Sequence, residues 1–513
     1  MLANVDEPSG TTVRELPPRP RRVLDPVLAP IGRLLRRLGA APVLYAIVAA
    51  VTVGYFIAAV PAGWGLDEQS HVNRAYQVQQ GQLLPQLRDD GRTFGGQIPT
   101  DLQRFDMLGW DWANHVDYRA PYFQRHDFRD RAQYDRLGSV VLDPDSPTES
   151  VDFTNAGASS FVPYLPSAVG MRIGLALHQD VATVMVLGRV VNALVAIGLT
   201  TLAIGLLRRS RSRWLFMAVG LLPSVLFLDS YTTADSFTTA ICMLFVAGIV
   251  RLCTDQHPRL AIVIGTAAAG LGVVAAKPTY VLLLALALLV PLARWTTARR
   301  SDAAGRPRTL REFGAAAAFL VVAAVPTLVL LSVTSPIAKA IRLQRVGVWQ
   351  GIDSGRQVHF LLEHPTALAG ILGRSVASFG EWWVHGLVGA FGYNAVDLMQ
   401  PFSTIAIIGV VLAAVVADRL PRLVALGMAV VGAVTALAVI VALYLTFNVV
   451  GSPDVVGVQG RYFAPLVALL GVGIAGLVPI RARVSDRGGA ALFTTLAVVP
   501  LVASVVQWHV TLY

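Results

Sequence analysis

Charge is scarce in this chain of 513 residues: only 14% are Asp, Glu, Lys or Arg, while 54% are hydrophobic. A soluble domain carries nearer a quarter charged residues. Lysine is scarcer still, because Lys277 and Lys339 stand alone against a background of arginine. The two cysteines, Cys242 and Cys253, lie inside an apolar run and at its basic end, so no disulfide framework is implied. There is no P-loop, no zinc-ligand spacing, no dinucleotide glycine fingerprint and no Gly-x-Ser-x-Gly elbow. There is no solenoid repeat either. Chemistry that uses a soluble nucleotide therefore has no motif to rest on.

What is present is a series of apolar runs of about twenty residues, each long enough to cross ~30 Å of hydrocarbon. The fold class expected is an all-α polytopic membrane protein. The net charge of +10 does not point to nucleic acid, since the arginines sit in short loops between apolar runs, as the positive-inside rule requires. Residues 1–42 read as a basic cytoplasmic tail. Within it, 1–25 are Pro- and Arg-rich and expected to be disordered, and 26–40 could form a basic surface helix. No cleavable signal is expected.

The remaining domain is 43–513. Spans are expected near 43–62, 181–207, 214–229, 235–250, 259–276, 280–293, 314–334, 402–417, 423–447, 463–480 and 489–510. The spans at 235–250 and 280–293 look short enough to tilt little or to end at a cavity. The basic loops 208–213, 251–259, 294–311, 418–422 and 481–487 can all be cytoplasmic only if 158–178, broken by Pro163 and Pro166, does not cross. It is read as interfacial or re-entrant, which leaves about eleven spans. Three long outer segments follow: 63–180, 335–400 and 448–462.

The first outer segment opens with Asp67-Glu68-x-x-His71-x-x-Arg74. On a helix starting near Asp67, residues 67, 71 and 74 share one stripe, with Glu68 turned away. The acids could cap a helix, or one could act as a base while the other orients substrate, metal or a basic neighbour. Gln459-Gly460-Arg461-Tyr462-Phe463 precedes a late span on the outer side. Arg461 there could snorkel to headgroups or hold a lipid phosphate in a bidentate fork. Lys277-Pro278 also falls outside, as a turn anchor or a second phosphate contact. Asp235 could be an N-cap or functional. Arg189 and Asn192 lie inside a span and should face the bundle interior. Aromatic residues crowd 63–157, from Phe94 and Trp110 to Tyr118, Tyr122, Phe123, Phe128 and Tyr134, and suit either packing or sugar rings. The stretch 376–398, with Trp382, Trp383, His385 and Tyr393, suits the outer interface.

Read together, the acidic set with Ala75-Tyr76, then Tyr164-x-Pro166, Leu187-Gly188-Arg189-x-x-Asn192, Ser230-Tyr231-x-x-x-Asp235, Lys277-Pro278-x-Tyr280, Gly386-Leu387-x-Gly389-x-Phe391-Gly392 and Gln459-Gly460-Arg461-Tyr462-Phe463 resemble the bacterial membrane-protein family called domain of unknown function 2142. The resemblance runs from about 45 to 480. Members often carry prolines before the acids, where this chain has Gly65-Leu66. That family is similar in turn to the GT-C superfamily of polytopic glycosyltransferases. The resemblance implies a GT-C-like fold with juxtamembrane helices in the first outer loop, and Asp67 as base with a lipid-phosphate site on the outer rim.

The function expected is transfer of a sugar, hexosyl or pentosyl, from a polyprenyl-phosphate donor to a cell-envelope glycan or glycolipid outside the cytoplasmic membrane, with inversion. Asp67 and Glu68 are the expected catalytic pair. Arg461, Lys277 and Tyr462 are expected at the donor phosphate, and His71, Arg74, Tyr231, Asp235 and Gln459 at the substrate. Glu68 and His71 could instead orient groups or bind a divalent cation, but two or three ligands are too few to claim a metal. The expected partners are the lipid-linked donor, the acceptor and membrane lipids. The alternatives are a transporter or flippase of lipid-linked saccharides and a non-catalytic scaffold for envelope assembly.

Overall fold

The computed structural model describes residues 39–115, 131–143, 145–298, 306–340, 351–392, 396–480 and 482–512. The expectations for 1–38, for Tyr118, Tyr122, Phe123 and Phe128, and for Tyr393 lie outside the described residues.

The protein is mostly helical, and among the described residues eight helices are long and apolar enough to cross a membrane. It is a multi-pass membrane protein. Helix Ala234–Thr254 forms the mast of the bundle and is buried along nearly its whole length. Helices Val181–Leu206, Leu260–Ala276 and Ala464–Leu477 pack around it. The runs at 235–250 and 280–293 are longer than the sequence suggests, because Ala234–Thr254 and the candidate span Pro278–Thr296 contain 21 and 19 residues. The second of these starts as a 3-10 stretch, Pro278–Leu288, and relaxes to α geometry at Leu289. Two shorter apolar helices, Leu260–Ala276 and Gln400–Val416, stand beside them. The run 214–229 is two helices, Arg213–Gly220 and Pro223–Asp229. The break comes where Pro223 lacks the N–H needed to continue the ladder.

The arginine-bearing loops gather at one end of the bundle. The Arg211 N–H donates to Asp418 at 2.8 Å and the Asp418 N–H donates to Ser212 at 3.3 Å. Arg213 pairs with Asp486 at 2.5 Å, and Arg419 donates to the carbonyl of Ile480 at 3.0 Å. Arg208 and Arg209 share a cavity with Arg251 and Arg259. Arg294 pairs with Glu312 beside Leu252.

Helix Leu165–Ala176 has 12 residues, about 18 Å at 1.5 Å per residue, which is too short to cross. It folds back on the start of Val181–Leu206, and the contact is backbone to backbone. A Cβ on Gly170 would sit 2.1 Å from the Leu187 carbonyl.

The segment 63–180 departs from an all-α expectation. Strands β1 (Gln86–Leu87), β2 (Phe94–Pro99) and β3 (Thr148–Asp152) form an antiparallel sheet in the order β1-β2-β3, with Gly96 opposite Val151. A second hairpin pairs β4 (Ala390–Phe391) with β5 (Val396–Asp397). Phe391 joins Phe56, Phe227 and Trp508 in an aromatic knot, with Phe227 5.3 Å from Phe56 and 5.3 Å from Trp508. Such pairs add about 0.5–1.5 kcal/mol beyond their area burial. The knot ties the first span to the last helix under the segment that carries Asp67.

Candidate functional site

The chain leaves its first span at Val60, turns through Gly63 and Gly65, and starts a new helix, Glu68–Gln79. Gly65 is required by packing, because an added Cβ would lie 2.2 Å from the Tyr231 ring. Asp67 then takes φ 57°, ψ 18°, the left-handed region. Among L-residues with a Cβ, Asp and Asn tolerate that region best. The Asp67 backbone carbonyl receives the N–H groups of Ser70 and His71 at 3.0 and 3.2 Å. Its carboxylate makes no capping bond and is left for other partners.

That partner is Arg461. Its Nη2 donates to Asp67 Oδ2 at 2.8 Å across 394 positions of sequence. The other side of the same guanidinium faces Asp235, with Nε 3.2 Å from Oδ2. This is an ion-pair contact without the alignment of a hydrogen bond. Asp235 also pairs with Lys277. Four charges therefore alternate in a row, Asp67–Arg461–Asp235–Lys277. The Tyr462 ring lies under both cations, 5.5 Å from Arg461 and 5.4 Å from Lys277, within cation–π range. Asp235 is not the N-cap of its helix. Thr233 caps it, accepting the Asp235 N–H at 3.3 Å, so the Asp235 carboxylate is free to face the cations.

Exposure separates the acids. The Asp67 side chain keeps 37% of its surface, Asp235 keeps 8% and Glu68 none. Only Asp67 can be reached from outside. Burial would raise its pKa, but the Arg461 guanidinium and then His71 more than offset this and hold the carboxyl below its usual range. A narrow cleft lined by Leu66, Trp382, Gly386, Gln459 and Arg461 runs beside the ion pair. Gln459 Oε1 has no partner there. Trp382, 39% exposed, stands at its rim.

Gly460 sets the position of Arg461. An added Cβ would lie 2.0 Å from the Trp383 carbonyl and 2.3 Å from the Leu387 nitrogen. These are backbone atoms of helix Ala367–Val388 and cannot swing aside. Gly460→Ala is expected to cost about 1–3 kcal/mol, the scale of overpacking, and to draw Arg461 off Asp67. A thermal melt of the detergent-purified variant that overlays the parent would refute this.

Glu68 is not beside Asp67 in the cluster. It forms a buried bidentate pair with Arg189, at 2.8 Å to Nε and 2.7 Å to Nη2, and receives the Gly65 N–H at 3.1 Å. Arg189 also donates to the carbonyls of Val60 and Pro61 at 2.6 and 2.9 Å. Glu68 thus orients a basic neighbour and clamps the turn that presents Asp67, with its side chain fully buried. Arg74 is likewise turned away. It donates to Gln77 and to the Leu83 carbonyl, both at 2.6 Å, and shapes the turn after the helix. Tyr231 is buried beneath Gly65, and its hydroxyl has no hydrogen-bond partner among the described residues.

His71 shares a 2.7 Å hydrogen bond between Nδ1 and the Tyr164 hydroxyl. Burial lowers its pKa to about 4 from the usual 6.5, against the pull of Asp67. It is neutral at pH 7. Because the unfolded chain binds this proton more readily, stability is full above about 6.5 and declines as pH falls toward 4. His71→Gln should flatten that part of a melting-temperature profile against pH, and an unchanged slope would refute the assignment.

One acid escaped the sequence reading. Asp106 is fully buried and neither carboxyl oxygen has a hydrogen-bond partner among the described residues. Burial, and then the charge of Glu68, push its pKa well above the ordinary value, behind the Glu68–Arg189 clamp. No motif marks it, since Asp106 lies in an unremarkable stretch of helix Thr100–His115. The described residues gather no three His, Cys, Asp or Glu side chains as a ligand set. Asp67 and Asp235 are committed to cations. The donor set does not fit a divalent ion.

Compared with known proteins, residues 51–470 match the family described as "Predicted membrane protein (DUF2142)". No curated protein and no solved structure matches the chain.

Proposed function

The chain belongs to the DUF2142 family of predicted membrane proteins, and from that premise we propose that it is a membrane glycosyltransferase of GT-C type. It moves one sugar from a polyprenyl-phosphate carrier to a cell-envelope acceptor on the extracytoplasmic face of the cytoplasmic membrane. The observation that carries this reading is the Asp67–Arg461 pair. It joins a reachable carboxylate to a guanidinium at the end of the bundle opposite the arginine loops. If those loops face the cytoplasm, the pair faces outward. Counting the broken helix 213–229 and the two shorter apolar helices as crossings gives eleven, with both 63–180 and 335–400 outside.

The mechanism is a single displacement. The acceptor hydroxyl attacks the anomeric carbon, its proton passes to Asp67, the bond from that carbon to the phosphate oxygen breaks, and the configuration inverts. Polyprenyl phosphate leaves with the bonding electron pair. Arg461 and Lys277 neutralise the charge that grows on it, with Tyr462 holding both cations in place. At rest Arg461 restrains Asp67. When the donor phosphate draws Arg461 toward itself, Asp67 loses part of its compensating charge and its proton affinity rises. Donor binding thus readies the base. Gln459 and Trp382 line the approach to the phosphate. Glu68, Arg189 and Arg74 position the helix, and His71 and Tyr231 wall the pocket.

The test is reconstitution in proteoliposomes with a labelled polyprenyl-phosphate sugar and an envelope-glycan fraction. Label should appear in the glycan with stoichiometric release of polyprenyl phosphate. Movement of intact donor across the bilayer without that release would make the protein a flippase and end the enzyme reading.

A further inference from the structure

A second polar cavity lies at the arginine end, remote from Asp67. It has a volume of about 600 Å3 and opens between the end of helix Val181–Leu206, the end of Ala234–Thr254 and the start of Leu260–Ala276. Four arginines, 208, 209, 251 and 259, line it against one carboxylate, Asp255. Arg251 takes that carboxylate at 2.6 Å. Arg209 and Arg259 make no ion pair among the described residues and are exposed.

Below the arginines the wall changes character. Gly198, Thr201, Leu202 and Gly205 line the cavity and fall on one helix face at i, i+3, i+4 and i+7. Nothing lies within 4 Å of where a Cβ would stand on Gly198 or Gly205. The glycines therefore leave an open furrow and are not there to admit a neighbouring helix. Thr201 Oγ1 is buried in this wall with no hydrogen-bond partner among the described residues. Leu202, at the furrow's side, is 52% exposed on a spanning helix.

We propose that this cavity binds one anionic phospholipid, with the headgroup phosphate between Arg209 and Arg259, a glycerol or ester oxygen at Thr201, and an acyl chain laid along the Gly198–Gly205 furrow. A dissolved anion would use the arginines but has no use for an apolar furrow leading into the hydrocarbon. A phospholipid fills both halves. Basic pockets between spanning helices at a membrane surface are a known means of gripping acidic headgroups, and the guanidinium fork suits a phosphate. The site is independent of the sugar-transfer reading.

The experiment is native mass spectrometry of the full chain from nanodiscs containing phosphatidylglycerol and phosphatidylcholine in equal parts. The unmodified protein should retain one phosphatidylglycerol in preference to phosphatidylcholine. R209A/R259A should lose that adduct at least tenfold. Gly198→Leu, which fills the furrow and keeps every charge, should also lower it severalfold. Arg356→Ala, outside the cavity, should leave it unchanged. Equal retention of the two lipids, or an undiminished adduct in R209A/R259A, would overturn the proposal. So would full displacement by millimolar inorganic phosphate with Gly198→Leu neutral, which would identify a site for a free anion.

Discussion

Asp67→Asn is expected to abolish sugar transfer while leaving the protein folded, with turnover falling about 10²- to 10⁴-fold, the range assigned to a positioned general base. The substitution suits the question because Asn tolerates left-handed backbone as Asp does, so φ 57° at this position need not change. Its amide oxygen can still accept from Arg461, but it takes no proton. Asp67→Ala would confound the result by straining the turn. The pH profile gives a second readout. In the free protein Arg461 holds Asp67 below its ordinary range, so the acidic limb of kcat/KM should lie at low pH. With donor phosphate on Arg461, the acidic limb of kcat should shift to higher pH. Coincident limbs would refute the idea that donor binding readies the base. Near-normal turnover of Asp67→Asn would remove Asp67 from the chemistry altogether.

Arg189→Leu is the second large effect, and it falls on folding. The guanidinium is buried and satisfies Glu68 together with two carbonyls of the Asp67 turn. Removing it leaves a carboxylate with no counter-charge in a site that excludes water. Breaking one partner of such a pair costs about 3–5 kcal/mol, enough to lower the yield of monodisperse protein sharply. Glu68→Gln combined with Arg189→Leu should recover part of that loss, since a neutral amide asks far less of its surroundings. Melting temperatures of the two single variants and the double variant would show this as coupling. Additive losses would mean that the pair is not the clamp described.

Several of these features could be read from the sequence because they depend on composition or on rarity. Long apolar runs announce spanning helices whatever their neighbours. An arginine placed against the positive-inside rule, one of only two lysines, and an acid just past the first span are each conspicuous, and Asp67, Arg461 and Lys277 do meet. What was missed depends on partners that no local pattern names. Glu68 looks as reactive as Asp67 until Arg189, 121 positions later, is found to hold it. Arg74 looks like a ligand group until two nearby loop carbonyls claim it. The strand Phe94–Pro99 carries two glycines and a proline, which disfavour a strand by propensity, and exists through pairing with β3. Asp106 is an ordinary helix residue by sequence and becomes a buried acid with a raised pKa only through tertiary packing.

The two acids of the first outer turn also acquire their partners at different moments of synthesis. Once the helix Val181–Leu206 has been inserted, Arg189 can lock Glu68, so the turn is shaped while more than half the chain is still unmade. Arg461 emerges some 270 positions later. Until then Asp67 has no guanidinium to restrain it, and a ribosome-bound intermediate would display an unguarded carboxylate. The pairing of the first of these acids thus comes late, and a polypeptide cut short before Gln459 would keep the Glu68–Arg189 clamp yet lack the Arg461 partner of Asp67.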